Sequence, residues 1–312
     1  MISKFPCLRL YPARVLARGT GWCEIGFFLG LGCWLPCMSN GEPVDWATVP
    51  ADKVVHYACA ATLTDEKEAL SRKAFDEIIR RGPKGIQALM DHMHIQNIVV
   101  RVHADNIIRR NKDPEFVPIL LGYLDSEHER TRKYAAYLLG YYELPEYADK
   151  LWPLLENDET ENTAIRSLGK WKVSAAIPRI LPYLKHEKEI KRILAVNALR
   201  DIADPTTADP LIAALSDPVF TVRMTAARAL SALGEEAQID ILTALDTAEK
   251  PARRLLIQVL GDRGDASAIP RLQRYLSATN IQVVAEAANA LRILGQTNTV
   301  KAVWISVDEE SR

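Results

Sequence analysis

A phrase of arginine, two small residues and leucine returns along this chain at near-constant spacing, and that period constrains the fold more than any other feature. The clearest copy is VRMTAARALSALG, from Val222 to Gly234. The place of Arg223 is held in other copies by Ser71, Arg101, Arg132, Glu161, Arg192, Arg253 and Val284. From Ser71 onward the intervals are 30, 31, 29, 31, 31, 30 and 31 residues. A unit this short cannot bury its apolar face alone, so copies must stack, each touching its neighbours.

One copy, Ala208–Ala237, supplies the anatomy. Asp209-Pro210 opens a first helix, with proline in the first turn where its missing N–H is harmless. Leu211, Ile212 and Leu215 share a face, and Ser216-Asp217-Pro218 breaks the chain, because proline disfavours helix in the residue before it. A second helix is expected from about Phe220 to Leu233. Its inward stripe is Arg223, Ala226, Ala227, Leu230 and Leu233, at offsets 0, +3, +4, +7 and +10. Gly234 stands where a left-handed C-terminal cap is expected. Alanine at +3 or +4 lets neighbouring helices approach closely.

The same grammar appears in AIPRILPYL from Ala176 and AIPRLQRYL from Ala268, and in the second helices TRKYAAYLLGYYE, KRILAVNALRDIA, ARRLLIQVLGDRG and VVAEAANALRILG. On these motifs the chain resembles the short HEAT-like repeats grouped with phycobilisome lyase subunits, from about Asp65 to Thr299. The resemblance implies an all-α, right-handed α-solenoid of about seven two-helix repeats plus capping helices, with the second helices lining the concave side. It also implies a ladder in which turn aspartates, Asp125 and Asp217, meet the arginine column. The poorer copy Val54–Leu63 and the segment VKAVWISV after Thr299 read as caps.

Ahead of the array the composition changes. Residues 1–24 carry Lys4, Arg9, Arg14 and Arg18 with Glu24 as the sole acid, and the apolar run Ile25–Leu35 follows. Eleven residues are too few for a membrane span, which needs about 20, but suit the core of a secretory signal. Residues 1–40 are therefore read as a leader, 41–51 as a linker, and 52–312 as the solenoid. Leu29–Cys33 also looks like a lipoprotein box, which would make Cys33 the lipidated residue and a lipid the means of reaching a membrane. Export, to a periplasm or to a lipid-anchored position, is the expected location; the alternative is cytoplasmic, with the apolar segment packed on the first repeat.

Chemistry is sparse. All five cysteines lie at or before Cys59, without the second Cys or His pair that a zinc site needs. The pairs His128-Glu129 and His186-Glu187 invite comparison with the HEAT-like deoxyhypusine hydroxylases. That family's pairs follow the arginine position inside the second helix, whereas here both precede it. His92, Met93 and His94, with His103 nearby, form the best metal candidate, although turn histidines are usually just exposed. No nucleophile motif, phosphate loop or cofactor motif is visible, so no catalytic residue, metal or cofactor is assigned. With 39 basic and 40 acidic residues and a net charge of −1, the chain lacks the basic excess that nucleic acid demands.

Function is left to surface. Offsets +1, +5 and +8 point away from the buried stripe. The +5 column reads Asp76, Asn106, Tyr137, Arg166, Asn197, Arg228, Gln258 and Asn289, polar or amphipathic in every copy. Together with Arg109, Lys133, Tyr141 and Lys170 it yields a binding set of Arg109, Lys133, Tyr137, Tyr141, Arg166, Lys170, Asn197 and Arg228. The expected function is a non-enzymatic scaffold or adaptor holding a protein partner of acidic or peptide-like character. The alternative is a bilin-lyase-like or other accessory or chaperone subunit of an enzyme complex.

Overall fold

The computed structural model describes residues 23–24, 34–35, 44–59, 65–95 and 98–297. Two compact units divide the chain, residues 1–88 and 89–312. The apolar run of the leader and Cys33 lie outside the described residues, apart from an antiparallel pairing of β1 (Cys23–Glu24) with β2 (Trp34–Leu35).

In the first unit α1 (Ala51–Ala58) packs on α2 (Asp65–Arg80). Residues 44–50, within the expected linker, are tied to α2 by Arg81, whose Nη2 donates to the carbonyls of Trp46 at 2.7 Å and Val49 at 2.6 Å. The Trp46 ring meets Tyr57 edge-on at 5.4 Å. Glu77, buried, accepts from Arg80 at 2.6 Å and from Arg81 at 2.7 Å.

From α3 (Pro83–Asp91) onward, short first helices alternate with longer second helices. After α3 come α4 (Ile98–Asn111), α5 (Phe116–Gly122), α6 (Glu129–Leu139), a 3-10 stretch Pro145–Glu156, α7 (Glu161–Lys170), α8 (Ile177–Ile180) and α9 (Glu189–Ile202). Then follow α10 (Ala208–Ala214), α11 (Phe220–Ala232), α12 (Gln238–Thr247), α13 (Lys250–Arg263), α14 (Ile269–Arg274) and α15 (Ile281–Ile293). The second helices α4, α6, α7, α9, α11, α13 and α15 stack in sequence, each on the next, and the first helices form an outer layer. Unit two is thus an all-α solenoid. Among the described residues no helix is long and apolar enough to cross a membrane.

Local chemistry explains the hairpins. Several first helices are entered through 3-10 turns, and in two of these an aspartate caps the turn: Asp204 accepts the N–H of Thr206 at 3.0 Å and Asp265 that of Ser267 at 2.7 Å. In α11 the expected stripe is found, with Ala226, Ala227, Leu230 and Leu233 buried and Arg223 half-buried. The arginine column has a definite role. Arg132, Arg192 and Arg223 each donate to the carbonyls six and five residues back, and Arg253 to the one five back, at 2.6–3.0 Å. Each guanidinium therefore pins the turn between the two helices of its own repeat.

The aspartate ladder is half right. Asp217 receives Arg192 of the preceding repeat through two bonds of 2.7 and 3.0 Å. Asp125 is exposed and does not meet Arg101, whose Nη1 donates to Tyr134 OH instead. The reason is register: Asp217 lies six residues before its column position, Asp125 seven. At two of the three non-arginine positions, 161 and 284, the substitutes are buried. Glu161 pairs with Lys191 and accepts from Tyr183 OH at 2.9 Å, and Val284 simply packs.

Left-handed backbone recurs at +11: Gly82, Lys112, Lys172, Ala203, Gly264 and Gly295 all have positive φ and all occupy that offset. Gly234 also sits at +11 yet has φ −61° and ψ 174°, so the cap expected there is absent. Arg263 of the following repeat donates to the carbonyls of Leu230, Leu233 and Gly234 at 2.8–2.9 Å. Those bonds satisfy the orphan carbonyls that a left-handed turn would otherwise serve. At Glu143, the other +11 residue outside the positive-φ set, the end of α6 is served likewise: Trp171 Nε1 donates to Leu139 O at 3.1 Å. Both donors occupy the +10 place of the next copy.

Candidate protein-binding face

The +5 column lies open along the array: Asp76, Arg166, Arg228 and Asn289 are exposed, and Asn106, Tyr137, Asn197 and Gln258 are half-exposed. Offset +8 is not uniformly open. Gly140, Gly169 and Gly261 are buried where one second helix meets the next. A Cβ on Gly169 would lie 2.7 Å from Ala198 Cα, and one on Gly261 2.8 Å from Ala290 Cα. Here the glycines permit backbone contact between stacked helices rather than lining a surface.

On α4, α6 and α7 the expected residues join into one network. Arg101 bonds the hydroxyl of Tyr134 at 2.7 Å and lies over its ring at 5.3 Å. The rings of Tyr134, Tyr137 and Tyr141 follow edge-to-face, at 6.1 and 5.5 Å. Tyr137 and Tyr141 share a hydrogen bond of 2.7 Å, and Tyr141 OH donates to Asp105 Oδ1 at 2.7 Å. Lys170 Nζ sits over the Tyr141 ring at 4.8 Å. Burial pushes the Tyr141 phenol up, helped by its bonds to Tyr137 and Asp105, so it stays a neutral donor. Burial also pulls the Lys170 ammonium below its ordinary value, with the charge of Arg166 adding to the effect.

Beside this network a cleft of about 230 Å³ opens between α7 and α9, lined by Arg166, Lys170, Asn197, Arg200 and Asp201 over a floor of Leu194 and Ala198. Tyr137, Tyr141, Arg166, Lys170 and Asn197 are thus gathered, as the column pattern anticipates. Arg109 is committed to Asn106 at 3.2 Å and Asp105 at 3.9 Å, and Lys133 faces Glu159 at 3.8 Å. Arg228 is exposed and has no hydrogen-bond or ion-pair partner among the described residues.

Sequence reasoning left out Tyr134, Asp105, Arg200 and Asp201. For Asp105 a signal exists: it is the charged member of a +4 column otherwise composed of Phe75, Ala136, Ile165, Val196, Ala227, Ile257 and Ala288.

The histidines are held by local contacts. His128 stands at the start of α6 without a side-chain capping bond, and its ring stacks on that of His94 at 4.5 Å, while His186 lies parallel to Tyr183. Met93 is fully buried, whereas His94 is exposed and His92 and His103 are half-buried. Among the described residues no group of three or more His, Cys, Asp or Glu converges as metal ligands would.

The family comparison agrees with this architecture. The family profile described as HEAT repeats matches residues 156–219, 177–255 and 243–312, together just over half of the chain. The chain belongs to the HEAT-repeat family. No curated protein matches it by sequence. Similar solved structures include an engineered protein, 18% identical over 81% of this chain and 76% of that one, with TM-score 0.45. A second engineered protein is 20% identical, over 58% and 98%, with TM-score 0.40. Human deoxyhypusine hydroxylase in complex with glycerol is 17% identical, over 79% and 96%, with TM-score 0.33.

Proposed function

We propose that this HEAT-repeat protein is a non-enzymatic scaffold or adaptor that recognises a protein partner on the face of its second helices. The observation that supports it is the +5 column, polar or amphipathic and solvent-accessible in every copy while the +3 column beside it is almost entirely alanine. Surface kept open and polar at one place in each repeat is what an extended recognition face requires. Tyrosine and arginine, the side chains that most often dominate interface energy, are concentrated at Tyr137, Tyr141 and Arg166. Arg166 and Arg228 carry charges that no acid on the chain neutralises among the described residues, which favours an acidic or peptide-like partner.

The test is purification from the native host after mild crosslinking, with identification of both the co-purified protein and the mature N-terminus. Arg166→Glu combined with Tyr137→Ala should weaken capture of that protein about tenfold or more. Capture unchanged by the pair would refute the reading. The mature N-terminus tests a second part of the proposal, that the leader exports the chain, with or without a lipid on Cys33.

A further inference from the structure

The cleft between α7 and α9 carries more positive charge than its own acids balance. Arg200 donates twice to Oδ1 of Asp201, at 2.8 and 3.1 Å, so that carboxylate is paired with its chain neighbour rather than with a cation of α7. Arg166 has no ion-pair partner among the described residues, and Lys170 rests on the π-face of Tyr141 rather than on a carboxylate. Two unit charges of α7 therefore face the cleft without a direct ion pair among the described residues, the carboxylates of Asp201 and Asp105 acting on Lys170 only from a distance. The two cations stand four residues apart on one helix, an arrangement that repels and weakens the helix. Burial and then Arg166 disfavour the charged form of Lys170, more than Asp201 and Asp105 favour it. Within the packing of α7, Lys170 has the Tyr141 ring as a partner, while Arg166 has none among the described residues.

The backbone makes the cleft narrow. Gly169 lies against Ala198 so closely that a Cβ would fall 2.7 Å from Ala198 Cα. That contact draws α7 and α9 together directly beneath the cations. Asn197 and Arg200, three residues apart on α9, supply further N–H donors from the facing wall. A carboxylate would neutralise one of the two free charges and use two oxygens. A phosphoryl group matches both charges, and its three terminal oxygens match donors converging from two helices. Asp105, Glu159 and Asp201 interrupt the basic residues, so the surface suits one localised dianion better than a continuous polyanion.

We propose that this cleft is a phosphoryl-binding subsite that receives a phosphorylated serine or threonine side chain of the protein partner. The idea rests on the scaffold reading above and gives it a regulatory condition: the partner is held when phosphorylated.

The test is calorimetric titration of O-phospho-L-serine into the full chain at fixed ionic strength. Saturable binding on the order of 1 mM is expected for so small a probe. Lys170→Gln and Arg166→Gln should each weaken it about tenfold. Arg166→Gln should not lower the melting temperature, because it removes a like-charge repulsion and no ion pair among the described residues; Lys170→Gln removes the same repulsion but also the Tyr141 contact, so it should lower it only slightly. That combination separates a binding role from a structural one. Lys150→Gln, an exposed cation of the outer layer, should leave binding unchanged.

Absence of saturable binding, or indifference to Lys170→Gln, would overturn the proposal. So would glutarate binding as tightly as phosphoserine, which would make the cleft a carboxylate site. Loss of phosphoserine binding alongside protein capture still sensitive to Tyr137→Ala would sink the subsite alone. Phosphoserine binding with no protein captured would sink the scaffold reading alone.

Discussion

Three residues at offset +11 allow the helix-ending account to be tested. Gly264 is left-handed at φ +73°, Ala203 is left-handed at φ +56°, and Gly234 is extended at φ −61°. From sequence, the two glycines look equivalent. In the structure a Cβ on Gly264 meets nothing within 4 Å, so Gly264→Ala is penalised by backbone strain alone, about 1–2 kcal/mol. The smaller entropy of the unfolded alanine chain offsets about 0.4–1 kcal/mol of that. A net loss of about 1 kcal/mol follows. At Gly234 there is no left-handed strain, and the added Cβ meets only the end of the flexible Glu236 side chain. Gly234→Ala should be neutral or gain up to about 1 kcal/mol. Ala203→Gly relieves the strain and should stabilise by about 0.5–1 kcal/mol. Urea unfolding of the three variants, followed by circular dichroism, measures these differences. Equal losses for Gly234→Ala and Gly264→Ala would refute the account, since they would mean that Arg263 does not replace the left-handed cap.

Leu230→Ala, at a fully buried position, should lose about 2–5 kcal/mol in the same assay, while exposed Arg228→Ala loses about 0.5 kcal/mol or less; comparable losses would mean the helix phase is wrong. Arg192→Ala strands Asp217, 8% exposed, and should destabilise by about 3–5 kcal/mol. A double-mutant cycle with Asp217→Asn should show coupling of about 1 kcal/mol or more, and additivity would remove the ladder from the energetics. Glu77 is held at about 2, below its ordinary 4.5, by its bond to Arg80 and then by Arg81, against the opposing effect of burial. A lowered carboxyl contributes stability in full above the ordinary value and loses it as pH falls toward the folded value. Denaturation midpoints between about pH 6 and about pH 3 should therefore fall less in Glu77→Gln than in the wild type; parallel curves would show that the pairing contributes nothing.

Much of the fold was legible because the same burial pattern is written many times. Ala226, Ala227, Leu230 and Leu233 are buried as the period requires, and the +5 column is open. What escaped depends on residues a full repeat away. The conformation of Gly234 is decided by Arg263, and the fate of Glu161 by Lys191. No local rule carries that information. Buried +8 glycines were misjudged for a related reason: offset describes one helix in isolation, whereas Gly169 and Gly261 are covered by the neighbouring helix. Within the candidate site, Tyr137, Tyr141, Arg166, Lys170 and Asn197 converge as anticipated. Arg109 and Lys133 face acids, Asp105 and Glu159, that a count of basic residues does not reveal.

Among the described residues, the following side chains that bond backbone carbonyls of a neighbouring repeat reach the same way. Tyr142 bonds Asp113, Ser167 bonds Ala136, Trp171 bonds Leu139, Arg263 bonds Leu230 and Leu233, and Tyr275 bonds Leu245. In every case the later residue donates and the earlier carbonyl accepts. The array is therefore vectorial. Loss of a repeat from its carboxyl-terminal side strips donors from the helix end behind it, leaving buried carbonyls bare. Of these bonds, loss from the amino-terminal side leaves only unused donors on side chains that can turn to water, although at Asp217 it also removes the Arg192 guanidinium. On these bonds unzipping should run more easily from the amino-terminal side, and a repeat leaving the ribosome would be finished only when its successor arrives.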